Sequence, residues 1–131
     1  MAAKTPGARF EDRWRDILSV HARTMCEIDR ALHPHGLGAS DFEVLDLLIA
    51  EAPGKGDQCR VQNLVGRVHL SQSALSRLIG RLEKDGLVER SVCVEDRRGV
   101  WVALTERGRA LHAEALPLQR AALARTLGDD A

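Results

Sequence analysis

A mainly α-helical chain with one small β-hairpin is the fold class this sequence predicts, on three observations. Residues 70–88 (L-S-Q-S-A-L-S-R-L-I-G-R-L-E-K-D-G-L-V) read as one short amphipathic helix with a marked start and a hard stop. Residues 88–104 switch to period-two alternation around a charged, glycine-containing turn. Two long stretches with apolar residues at steps of three and four flank this centre.

Taken in order, residues 1–8 are expected to be a disordered lead and residues 9–131 a single domain. From Arg9 a long helix is expected, with Phe10, Trp14, Ile17, His21, Met25, Ile28 and Leu32 along one stripe. It should stop at the Pro/Gly breaker His33-Pro34-His35-Gly36. Ser40-Asp41-Phe42-Glu43 reads as a capping box, Ser40 at the N-cap and Glu43 at N3. The helix it opens is apolar on most sides through Val44, Leu45, Leu47, Leu48 and Ile49, which predicts burial. Ala52 to Asp57 has loop composition.

Arg60 to Val68 is expected to hold a shorter helix with Val61, Leu64, Val65 and Val68 inward, and His69-Leu70 to form a turn. Ser71 then sits where an N-cap belongs, and Leu75, Leu78, Ile79 and Leu82 make the inward stripe. Gly86 ends the helix in the position that favours left-handed geometry. Two short helices joined by a tight turn, the second polar on its outer face, are a helix-turn-helix. The hairpin that follows is a wing, and its turn carries Asp96, Arg97 and Arg98. Thr105 is the expected N-cap of a last helix, with Leu111, Ala115, Leu118 and Ala122 on one seam and Leu116, Leu123 and Leu127 on another. Pro117 should kink or break that helix, and Gly128 should end it.

The outer face of the residue-71 helix is what a core does not explain. Ser71, Gln72, Ser73, Ser76, Arg77, Gly80 and Arg81 are short-armed or cationic, with no carboxylate before Glu83. A helix lying in the major groove needs such a face, with small donors and acceptors for base edges and arginine for guanine or phosphate. Formal net charge is zero, but residues 60–109 carry ten Lys+Arg against six Asp+Glu, so a basic centre lies between acidic ends.

Other classes find little support. There is no P-loop, no G-x-G-x-x-G and no nucleophile–base constellation, so no enzyme and no cofactor are expected. No 18-residue apolar run exists and no secretory signal is seen, so the protein is expected to be cytoplasmic, without membrane contact. Three widely spaced cysteines, Cys26, Cys59 and Cys93, fit a reducing compartment better than a disulfide framework.

The runs S-Q-S-A-L-S-R-L-I-G-R-L-E-K-D-G-L-V-E-R and E-D-R-R-G-V-W-V-A-L-T-E-R-G-R-A-L resemble the MarR (multiple-antibiotic-resistance regulator) family of winged helix-turn-helix transcription factors. The similarity is close over residues 60–112. It implies a winged core at about 38–104 and dimerisation helices at about 9–33 and 105–127. It also implies a homodimer that reads a pseudo-palindromic operator in double-stranded DNA, as a repressor relieved by a small-molecule effector or by oxidation. In such an arrangement Asp96 braces the wing tip against an arginine, Arg98 enters the minor groove, and an arginine placed as Arg77 is also suited to bracing the protein. This chain departs from the pattern at Gln62 (often Ser or Thr), at His69 (often Gly), in a longer loop at 52–59, and in a short C-terminal region.

Cys26 lies on the first helix, as does the reactive cysteine of the family's organic-hydroperoxide sensors, and is the redox candidate. The tyrosines those sensors use are absent here, and Glu27 and Asp29 argue against an acidic thiol. His33, His35, Glu43 and His112 are the groups a zinc-sensing relative would use, but their spacing is weak and no metal is expected. Any effector pocket should lie between the dimer arms and the winged helix, with Phe10, Trp14, Phe42 and Trp101 as the only aromatics to line it. Two alternatives are a winged-helix module for protein contact and a cysteine-based redox regulator of the same fold.

Overall fold

A computed structural model describes residues 6–54, 56–92 and 99–128. In chain order it holds α1 (Pro6–Leu32), a 3-10 turn (His33–His35), α2 (Ala39–Glu51), β1 (Cys59–Arg60), α3 (Val61–Val65), α4 (Gln72–Lys84), β2 (Val88–Val92), β3 (Val100–Leu104) and α5 (Glu106–Leu127). The mainly helical class, the helix-turn-helix and the hairpin are as the sequence predicts.

The core gathers on α4. Leu75, Ile79 and Leu82 are sealed off, with Leu78 just inside, beneath Phe42, Val44, Leu45 and Leu48 of α2 and Leu64 of α3. Ile28 and Leu32 of α1, Val88 and Val102 of the hairpin, and Ala115 and Ala122 of α5 complete the cluster. Each fully buried leucine contributes about 1.5–3 kcal/mol. The outer face of α4 is thereby held at a fixed height and rotation over the domain.

Several local expectations need correction. The cap of α2 is Gly38, not Ser40. Asp41 stands at N3 and accepts the Gly38 N–H at 2.7 Å, while Asp29 of α1 accepts the Ala39 N–H at 2.7 Å. Two carboxylates at the positive end of the helix dipole outcompete a serine hydroxyl. The helix expected over 60–68 shrinks to α3, because Cys59–Arg60 pair with β3 and the N–H groups of Arg67 and Val68 both turn back to the Leu64 carbonyl. That pairing makes a three-stranded antiparallel sheet, order β1-β3-β2, where a two-stranded hairpin was expected.

The helix α5 runs through Pro117 without interruption. Its buried line is also shifted: Gly108, His112, Ala115, Gln119 and Ala122 face inward, with Leu111, Leu116, Leu118 and Leu123 half-buried beside them. The ring of His112 fits there because it stacks on Phe42 at 5.2 Å and its Nε2 lies 2.8 Å from an Asp46 carboxylate oxygen.

Candidate nucleic-acid interface

The helix-turn-helix is shaped by three backbone positions. His69, between α3 and α4, has φ +54°, a left-handed conformation costing a non-glycine residue about 1–2 kcal/mol. It reverses the chain so that Ser71 can cap α4, its Oγ accepting the Ala74 N–H at 3.1 Å. Gly86 (φ +77°) closes the helix and turns the chain into β2.

Along α4, Ser71, Gln72, Ser73, Ser76, Arg77 and Arg81 are exposed, and Gly80 is half-buried with open space beside it. These residues therefore share one solvent face, opposite the leucine stripe. Neither large apolar side chains nor unpaired carboxylates interrupt it, since Glu83 on the last turn is bound to Arg90.

The two arginines on this face differ. Arg81 pairs with Asp41, whose side chain is 6% exposed. The carboxylate of Asp41 is thus divided between the Gly38 N–H and the guanidinium, which ties α4 to the start of α2. Among the described residues Arg77 makes no such bond, and its guanidinium is open to solvent. The sequence reading took both arginines as DNA contacts, with bracing an alternative at Arg77 alone, and nothing in the linear pattern joins residue 81 to residue 41.

The wing strands align Val88 with Leu104, Arg90 with Val102 and Val92 with Val100. At their root the Thr105 Oγ donates to the Gly86 carbonyl at 2.7 Å and accepts the Gly108 N–H at 3.0 Å. A Cβ at Gly108 would fall inside the van der Waals shell of the Leu87 carbonyl oxygen, so the chain approaches there as only glycine allows. Asp96, Arg97 and Arg98 lie outside the described residues.

Of the cysteines, Cys26 is exposed on α1 in a shallow recess with Arg23, Glu27, Arg30 and Arg125, and Cys59 is buried. Burial pushes the Cys59 thiol up from its ordinary value. The histidines and Glu43 considered as metal ligands do not converge. His35 lies 3.7 Å from Glu114, and His112 belongs to the Phe42–Asp46 contact.

Two short helices joined by a tight turn, the second with an open polar face, and a hairpin stitched to its end define a winged helix-turn-helix protein. Residues 54–100 match the MarR family profile. An HTH-type transcriptional repressor of Mycobacterium tuberculosis is 34% identical over 101 residues, 77% of this chain and 69% of that protein. The chain belongs to the MarR family, a family of transcriptional regulators rather than enzymes. The regulator MhqR of Bacillus subtilis is 30% identical over 90 residues, which are 69% of this chain but 59% of that protein. A further Bacillus subtilis HTH-type regulator, YwhA, is 41% identical over 51 residues, 37% of its length. Among solved structures, AbsC, a MarR family regulator from Streptomyces coelicolor, is 29% identical with a TM-score of 0.77, covering 100% of this chain and 85% of that one. Sco3205 from the same organism, solved in complex with DNA, is 26% identical with a TM-score of 0.81, covering 98% and 79%.

Proposed function

We propose that this chain is a sequence-specific double-stranded DNA-binding regulator that acts as a homodimeric repressor on a pseudo-palindromic operator. The observation that carries the reading is the open face of α4, built of short polar side chains and arginine and held rigidly over a leucine core. Such a face enters the major groove, with Gln72, Ser73 and Ser76 aimed at base edges and Arg77 at guanine or phosphate. Arg81 serves mainly as a brace. Arg97 and Arg98 at the wing turn add a minor-groove or phosphate contact, with Asp96 bracing the tip. A regulator of this kind works where the DNA is, in the cytoplasm; among the described residues no helix is long and apolar enough to cross a membrane.

The second chain docks on the amino-terminal half of α1, where Phe10, Trp14, Ile17 and Leu18 are all exposed. A small-molecule effector has room in a recess of about 470 Å³ between α1, α2 and α4, whose lining includes Met25, Asp29, His33, Leu37, Asp41 and Arg81. Its position beside the Arg81–Asp41 pair couples occupancy to the seating of α4. The protein-contact alternative finds no large apolar anchor on the α4 face.

Fluorescence anisotropy with a duplex from the gene's own upstream region, beside a scrambled duplex at two salt concentrations, tests this reading. The native duplex should bind tighter by roughly a thousandfold. Equal and steeply salt-dependent binding to both would reduce the interaction to phosphate attraction and contradict it.

A further inference from the structure

The wing is tied to the recognition helix at two separate places, and the second is a side-chain clamp. At the root, the Leu87 N–H reaches back to the Leu82 carbonyl at 2.9 Å, and the Thr105 N–H donates to the Leu87 carbonyl at 3.1 Å. A hairpin held only there would pivot. Two residues further out, Arg90 closes on Glu83 of the last turn of α4. Its Nε donates to Oε1 at 3.0 Å, a terminal guanidinium nitrogen lies 2.9 Å from the same oxygen, and its backbone N–H donates to Oε2 at 3.2 Å.

The backbone contact explains why the clamp sits where it does. The strand β2 is the outer strand of the sheet, so the Arg90 N–H on its free edge has no ladder partner. The Glu83 carboxylate supplies one, and satisfies main chain and side chain of the same residue together. Those bonds hold the Glu83 carboxyl below the usual glutamate range, so it is ionised throughout the neutral region. Strands rise about 3.3 Å per residue, so a 10° swing about Val88 would displace Val92 by roughly 2 Å. Base and phosphate contacts do not survive errors of that size.

We infer that Glu83 is a positioning residue for DNA recognition: through Arg90 it fixes the angle between the recognition helix and the wing, and with it the spacing between the two grooves the protein reads. This rests on the DNA-binding reading above. The inference opposes simple electrostatics. A bystander carboxylate near phosphates weakens binding to every duplex, so its removal should tighten all binding. A positioning carboxylate does the reverse for the operator alone.

The test uses Glu83→Ala, which replaces the residue by the best helix former and leaves the buried stripe untouched, and Arg90→Lys, which keeps the charge but loses the planar fork. Anisotropy measures affinity for operator and scrambled duplexes, hydroxyl-radical footprinting maps the contacts, and melting curves check the fold. Both variants should melt within a few degrees of the parent. Each should lower the operator-to-scrambled affinity ratio about tenfold, as expected for losing a charge-assisted contact. The footprint of the wing should blur while that of α4 stays sharp. Tighter binding to both duplexes with an unchanged ratio in Glu83→Ala, or a parental ratio in Arg90→Lys, would overturn the inference and leave the regulator reading standing. A parent protein that does not discriminate the two duplexes would overturn both.

Discussion

The amino-terminal half of α1 and the helix α4 are written in the same grammar and end in opposite situations. Both carry an apolar stripe at helical spacing, Leu75, Leu78, Ile79 and Leu82 at i, i+3, i+4 and i+7 on α4, and Phe10, Trp14, Ile17 and Leu18 at i, i+4, i+7 and i+8 on α1. On α4 the stripe is sealed by the chain's own α2, α3 and hairpin, and Leu75 is 0% exposed. On α1 Phe10 is 70%, Trp14 58% and Ile17 51% exposed. Periodicity therefore names the face that leaves water without naming what covers it. The covered stripe on α4 leaves that helix's polar face outward, as the proposed DNA contact requires, and the open stripe on α1 is the surface proposed for a second chain.

That contrast can be broken most severely at its buried side. Leu75→Ala should cost about 2–5 kcal/mol in chemical denaturation, as truncation in a packed core does. Ile17→Ala should leave the stability of the isolated chain within about 0.5 kcal/mol, as at an exposed surface site, while weakening self-association in sedimentation. A similar loss for Ile17→Ala at dilutions where the chain is a monomer would mean that α1 is stabilised from within. Next in size, Gly108→Ala should cost about 1–3 kcal/mol because a methyl group overpacks the wing root against the Leu87 carbonyl; a melting curve matching the parent's would show that the root can yield.

The two arginines of α4 sharpen the comparison inside one helix. Arg81→Ala strands a buried carboxylate and should cost about 1–3 kcal/mol of stability, measured by denaturant titration. Arg77→Ala should be neutral in that measurement and should instead lower the salt slope of DNA binding by about 1 if Arg77 touches phosphate. The reverse pattern would exchange their roles. Smallest of all, His69→Gly should raise stability by about 1 kcal/mol through release of the left-handed strain, with calorimetry as the check.

Much of the interface can be read from spacing alone. Ser71, the leucine stripe and Gly86 are local signals, set within one helix, and the structure bears out their positions. The contacts that orient the interface are not local. Asp41 with Arg81 and Glu83 with Arg90 join residues 40 and 7 apart across a turn or a whole motif, and no periodic pattern reports such pairs. The two-residue β1 is too short to show alternation, and its partner β3 lies some forty residues on. Pro117 does not break α5, because that helix is held along its length against α1, a support the local sequence does not report. The shifted α5 seam follows from His112, whose ring finds Phe42 and Asp46 inside the fold, contacts that only the assembled chain supplies.

The most direct test of the central claim is the mass of the complex with a duplex bearing one pseudo-palindromic site, measured by light scattering during chromatography. Two chains per duplex, falling to free chain and free DNA when Trp14 and Ile17 are both replaced by glutamate, is the predicted result. One chain per duplex, unaffected by those replacements, would contradict it, because the open stripe of α1 would then play no part in presenting two α4 faces to one operator.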